Sequence, residues 1–216
     1  MKRIMFILAA TMLTLNAAAT DYWDSQRPDK RVTFGLRAGV NASKQYATDF
    51  HADQDFRLGY QAGLALDVNI IRSFSINTGL TFYQKGWKNK YEDNRGYIKQ
   101  KDNAMYLEIP VLASYRIELN DKVGFQLNCG PYFAYGIGGK TKTSSDFVQN
   151  YNYEQDSFDK AVGNKRFDCG ISLGAAFTVS HVYLGIHYER GLVNKSQIAN
   201  YEYKNGTVAF NIGYNF

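Results

Sequence analysis

From Thr207 onward the chain alternates strictly. Val208, Phe210, Ile212, Tyr214 and Phe216 share one face, and Thr207, Ala209, Asn211, Gly213 and Asn215 share the other. A period of two is that of a β-strand, because successive side chains point to opposite faces. The longest clean alternation runs from Phe56 to Ile70, where Phe56, Leu58, Tyr60, Ala62, Leu64, Leu66, Val68 and Ile70 form an unbroken apolar face. The same period predicts strands over 31–42, 56–70, 73–86, 104–119, 122–137, 167–179, 182–190 and 203–216. Pro110 falls inside the fourth of these and cannot donate to a ladder, so a bulge is expected there.

The connections alternate as regularly as the strands. Tight turns at Ile71-Arg72, Asn120-Asp121 and Ser180-His181 alternate with long polar loops over 43–55, 87–103, 138–166 and 191–202. Eight strands, short turns at one end and long loops at the other are the grammar of an outer-membrane barrel. The predicted fold is therefore all-β: an eight-stranded antiparallel up-and-down transmembrane barrel, with both termini periplasmic.

A soluble barrel would carry its apolar face inside, and the apolar face here is too large and continuous for a small interior. Outward aromatics gather near the two ends. Phe74, Phe125, Phe177, Tyr214 and Phe216 form a lower girdle; Phe56, Tyr60, Phe82, Phe133, Tyr135, Phe167 and Tyr188 form an upper one. The chain ends on Phe216 without a polar tail, which suits a closing strand better than an open edge.

The first residues refine the compartment. Lys2 and Arg3 precede an apolar run, Ile4 to Leu15, and Ala17-Ala18-Ala19 offers small residues for cleavage. This is the form of a secretory signal peptide, too short for a membrane helix. The expected organisation is 1–19 signal peptide, 20–30 periplasmic lead-in and 31–216 barrel. The residue directly after Ala19 is Thr20 and not a cysteine, which argues against a lipid anchor. Removing Lys2 and Arg3 takes the formal charge from +5 to +3, and so mild a balance does not point to nucleic acid. Cys129 and Cys169 are expected on the lipid-facing side of neighbouring strands, about four residues out of register. That offset is too far for a disulfide.

Several patterns carry possible chemistry. Arg37, Arg57, Asp67, Lys85, Glu108, Arg116, Glu118, Asp168 and Glu189 point inward, and the expected outcome is a network of interior salt bridges. An eight-stranded barrel is just wide enough for its own side chains, so no diffusion channel is expected. Ser172, His187 and Glu189 also point inward and could form a hydrolytic triad acting on lipid. Against that, they face a filled lumen. Ala134 to Thr141 fits a loose P-loop pattern, but no helical period follows it. Its glycines more simply end a strand and open a loop. Sequons stand at Asn41, Asn194 and Asn205. His51, His181 and His187 lack metal-ligand spacing. No catalytic, cofactor-binding or metal residue is assigned, and no cofactor is expected. The loops hold Tyr46, Phe50, Trp87, Tyr91, Tyr97, Phe147, Tyr151, Tyr153, Phe158 and Tyr201. Exposed aromatics among charges suit binding of protein or glycan; packed on one another they would stiffen the rim instead.

The segments Arg37-Ala38-Gly39-Val40-Asn41, Tyr106-Leu107-Glu108-Ile109-Pro110-Val111-Leu112 and Tyr214-Asn215-Phe216 resemble the PorT-like outer-membrane β-barrel family, of OmpX/OmpA-like architecture. The resemblance covers nearly the whole chain after Ala19. It implies an eight-stranded barrel in outer-membrane lipid. It implies no single function, although some relatives assist protein secretion. The expected function is non-enzymatic: binding or adhesion through the surface loops, or an accessory role beside envelope proteins. The alternatives are a lipid-modifying hydrolase using Ser172, His187 and Glu189, and a soluble periplasmic barrel that binds a small apolar ligand.

Overall fold

The structure, a computed structural model, describes residues 26–47, 55–93, 96–120, 122–146, 151–159, 164–197 and 202–216. The expected signal peptide, His51, Phe50, Phe147 and Tyr201 lie outside the described residues, as do the side chains of Tyr91 and Tyr151.

Ten strands follow in order: β1 (Val32–Ala47), β2 (Arg57–Ile71), β3 (Phe74–Lys85), β4 (Lys88–Asp93), β5 (Gly96–Asn120), β6 (Val123–Ser145), β7 (Tyr151–Asp156), β8 (Phe167–Val179), β9 (Val182–Gly191) and β10 (Tyr203–Asn215). Every pairing is antiparallel. β1 pairs with both β2 and β10, and a β5–β6 pairing closes the ring β1-β2-β3-β5-β6-β8-β9-β10. These eight strands are the eight predicted from the period of two. Closure leaves the ring no open edge, which a strand in lipid requires.

The polarity is inside out. Phe34, Leu58, Leu64 and Phe210 are among the most exposed apolar side chains, with Leu58 at 77%. Lys85, Glu108, Ser114, Asp168 and Glu189 are each at 3% or less. The apolar band therefore faces lipid and the polar face fills the lumen. This arrangement removes the reading of a soluble barrel around an apolar ligand. Aromatic contacts mark both ends of the band, Phe125–Phe177 below at 5.0 Å and Tyr60–Phe82 above at 6.0 Å. The narrow lumen needs small residues where strands and side chains crowd. A Cβ on Gly39 would stand 1.9 Å from the carbonyl oxygen of Phe210.

Four expectations need correction. Segments 87–103 and 138–166 are not simple loops. β5 begins at Gly96 and β6 runs on to Ser145, and with β4 and β7 they form a four-stranded sheet raised above the ring, in the order β4-β5-β6-β7. The glycines of 136–139 therefore do not end the strand. Ile137 is an extra residue there, since Met105 pairs with Gly138 and Tyr106 with Gly136. Pro110 makes no bulge: β3 and β5 keep one register across it, and only the ladder lapses between Thr78–Val111 and Thr81–Glu108. The missing donor is tolerated as a local gap. The first turn lies at Arg72-Ser73 rather than Ile71-Arg72, because Ile71 pairs with Phe74. The Ser180-His181 turn stands as expected, with Ser180 at φ 52° between the Val179–Val182 pair.

Candidate functional site

The lumen is the first place to look for chemistry. Lys85 on β3 is buried and donates to Glu108 Oε2 on β5 at 2.6 Å and to Glu189 Oε2 on β9 at 2.7 Å. Its ammonium also lies 4.5 Å from the Tyr83 ring centre and 4.8 Å from that of Tyr132. One cation thus ties together three walls of the barrel. Tyr83 adds its hydroxyl, 2.6 Å from His187 Nε2 and 3.2 Å from Glu189 Oε1. His187 Nδ1 stands 2.9 Å from Asn211 Nδ2, and Asn211 accepts from Gln61.

This wiring bears against the hydrolytic reading. Ser172 lies opposite Glu189 in the β8–β9 register, so all three candidate residues share one wall. Yet both nitrogens of His187 are engaged, one by Tyr83 and the other by Asn211. A nucleophilic serine needs its histidine as base within hydrogen-bond reach. Here the base is committed elsewhere, and the group faces a closed lumen rather than lipid. The cavity they line is about 70 Å³, room for two or so waters at roughly 30 Å³ each.

The interior ion-pair network is smaller than expected. Several of the other inward charges are met by amides and rings. Asn77 donates to Asp67 at 2.8 Å, Asn205 donates to Asp168 at 2.7 Å, and Arg37 donates to Asn215 at 2.7 Å while covering the Tyr183 ring. Glu118 is exposed at the lower rim and Arg116 is half-buried. An amide satisfies a buried charge by hydrogen bonding without a second ion to desolvate.

The mouth with the long connections is plugged. Ser157 and Phe158, just after β7, turn inward and are buried. Phe158 meets Tyr106 edge-on at 5.6 Å, and Ser157 Oγ donates to Asp102 Oδ1 at 2.6 Å. Asn164 donates to the Ser157 carbonyl at 2.8 Å and accepts from the Tyr203 hydroxyl at 2.6 Å. Lys195, fully buried, donates to the carbonyls of Lys165 and Phe167. Burial pushes the Lys195 ammonium down to about 8 against the pull of Asp168. Burial likewise pushes the Asp102 carboxyl up, opposed by the hydroxyls of Ser157 and Thr141.

The family described as outer membrane protein beta-barrel domain matches residues 23–197. The chain belongs to that family. As an outer-membrane barrel it sits in the bacterial outer membrane, in contact with its lipid. Similar solved structures include Ail, the attachment invasion locus protein of Yersinia pestis, in complex with the heparin analogue sucrose octasulfate. It is 15% identical over 87% of this chain and 100% of that one, at a TM-score of 0.43. Neisserial surface protein A is 12% identical over 87% and 100%, at 0.44. The outer membrane protein OprG from Pseudomonas aeruginosa is 13% identical over 89% and 99%, at 0.42. Among curated proteins none matches.

The remaining motifs of this barrel are structural. Ala134 to Thr141 lies wholly within β6, and among the described residues no helix follows it to hold a phosphate. The sequons at Asn41 and Asn205 are buried strand positions. Cys129 and Cys169 are free thiols; Cys129 pairs with Leu173, four residues from Cys169. Among the rim aromatics, Phe158 is a plug and Tyr46 packs under Arg190 at 3.9 Å, whereas Tyr153 stays exposed. The plug residues Ser157, Asn164 and Lys195 are the ones that sequence reasoning missed, while Phe158, named among the loop aromatics, packs inward on Tyr106. Their partners lie far away in sequence, so no local pattern marks them.

Proposed function

We propose that this barrel is a non-enzymatic surface protein that works through its raised β4–β7 sheet, in binding or adhesion to an extracellular protein or glycan. The observation that carries the reading is a raised sheet above a lumen whose loop-side mouth is plugged. Among the described residues the lumen keeps a cavity of only about 70 Å³, so the exposed strands are the larger surface available for a role. The committed nitrogens of His187 support the non-enzymatic part. PorT-like kinship, cleavage near Ala19, and the division into 1–19, 20–30 and 31–216 belong to the same proposal. An accessory place beside envelope proteins would use the same sheet.

The test compares cells displaying the full chain with cells in which residues 89–100 are replaced by Asn-Gly. Both should give an outer-membrane band that shifts on gels only after boiling. Cells with the full chain should adhere to at least one immobilised glycan or extracellular-matrix protein, and cells with the shortened chain should not. Equal adhesion by both, or none above cells lacking the protein, overturns the reading.

A further inference from the structure

The outward face changes from apolar to basic, keeping its parity on β5 and shifting it by the one extra residue on β6. Along β5 it runs Leu107, Met105, Asn103, Lys101, Lys99; along β6 it runs Tyr135 and Ile137, then Lys140 and Lys142 past the bulge. β4 adds Lys88 and Lys90 to the same side, and all six lysines are exposed. The register stacks them. Lys88 pairs with Lys101, Lys101 pairs with Lys142, and Lys90 pairs with Lys99. Like charges directly opposite one another on neighbouring strands destabilise a sheet. Glu92 draws off Lys90, and Glu154 draws off Lys140 and Lys142 at the two edges. Lys101 is left at the centre with a lysine on each flanking strand.

Height and direction say what this row meets. Lys101 is four residues above Met105, about 14 Å along the strand. At the usual barrel tilt that is roughly 10 Å above the apolar edge. The face is continuous with the lipid-facing band, so it looks sideways over the membrane surface rather than up into the medium. We propose that the Lys88–Lys101–Lys142 row docks the phosphate groups of the phosphorylated glycolipid of the outer leaflet. Phosphate oxygens between the ammonium groups would relieve the repulsion and add charge-assisted hydrogen bonds. The anchoring this supplies is separate from adhesion at the tip of the sheet.

The full chain would be folded into phosphatidylcholine vesicles containing either a bis-phosphorylated glycolipid or its dephosphorylated form. The readout is the temperature at which the unboiled band converts on a gel. The phosphorylated lipid should raise it and the dephosphorylated lipid should not. K88Q/K101Q/K142Q should lose more than half of the rise, with lipid affinity falling about fivefold per lysine, yet match wild type in pure phosphatidylcholine. K122Q, at the opposite rim, should keep the full rise. If the triple variant does not fold, K101Q alone should show a smaller loss of the same kind. An equal rise in wild type and variant, or a rise independent of phosphate, overturns the proposal. So does a shift given only by a soluble sulfated polysaccharide, which would reassign the face to an extracellular ligand.

Discussion

Replacing Lys85 with Met tests whether the lumen's central cation holds the barrel together. Lys85 is buried and contacts two buried carboxylates at 2.6 and 2.7 Å. K85M keeps the length of the side chain and removes the ammonium. Glu108 and Glu189 then face each other across two hydrogen-bond lengths. The two bonds set their facing oxygens no more than about 5 Å apart, where two ionised carboxylates repel by at least about 3 kcal/mol at an effective dielectric of 20. Removing one partner of a buried ion pair costs about 3–5 kcal/mol in comparable cases. Glu189 keeps the Tyr83 hydroxyl at 3.2 Å, whereas Glu108 loses the donor that ties it to β3. The expected loss is therefore about 3–5 kcal/mol. It would be measured by urea unfolding in vesicles, following both the gel shift and tryptophan fluorescence. K85M/E108Q/E189Q, which removes all three charges, should recover most of the loss, because no buried ion is left without its partner. A K85M loss below about 1 kcal/mol, the size of an ordinary exposed ion pair, would refute the reasoning.

Two further outcomes follow from the same geometry. H187A should leave the membrane's glycolipid chemically unchanged and cost about 1–3 kcal/mol, because Tyr83 and Asn211 lose a partner; mass spectra showing that the wild type alters the glycolipid and H187A does not would restore the hydrolytic reading. Lys195 has its ammonium pushed from an ordinary 10.5 down to about 8 in the fold, so between those values the unfolded chain binds the extra proton and stability should rise with pH. K195M should flatten that rise in urea midpoints taken from pH 7 to 10.5, and an unchanged slope would show that the plug does not desolvate this group.

What could be read in advance follows from what each face meets. The eight ring strands were legible because lipid demands an apolar outward face, and Phe56 to Ile70 meets that demand without a break. The offset of Cys129 and Cys169 came out to the residue, although a long connection rather than a tight turn joins their strands. β4 and β7 were not legible by the same rule. Above the membrane the outward face meets water, and its alternation passes from apolar residues to lysine. The surviving signal was there in Lys88-x-Lys90, Lys99-x-Lys101 and Lys140-x-Lys142, three pairs at strand spacing inside segments that look like loops. The inward direction of Lys85, Glu108 and Glu189 was legible from parity. Their contact was not, because β3 and β9 meet across the lumen rather than side by side. The plug was illegible for the same reason: Ser157 reaches Asp102, fifty-five residues away.

The inverted polarity also separates where this protein is stabilised from where it acts. An outward leucine gains little by choosing one strand neighbour over another, because lipid is as apolar as any side chain it could pack against. Register and closure must then be specified from inside. Lys85 bridging β3, β5 and β9, Asn205 holding β10 to β8 through Asp168, and Asn164 tying the plug to Tyr203 all depend on a particular alignment of strands. A slip by one residue would turn each of these groups toward lipid, where an unpaired charge is costly. The polar lumen is thus the element that selects the fold, and the plug completes it at the mouth. Little is left inside to bind or transform a ligand. The raised sheet is under the opposite regime. Its opposed lysines work against its own stability, so its composition reflects what lies beside it rather than what holds it up.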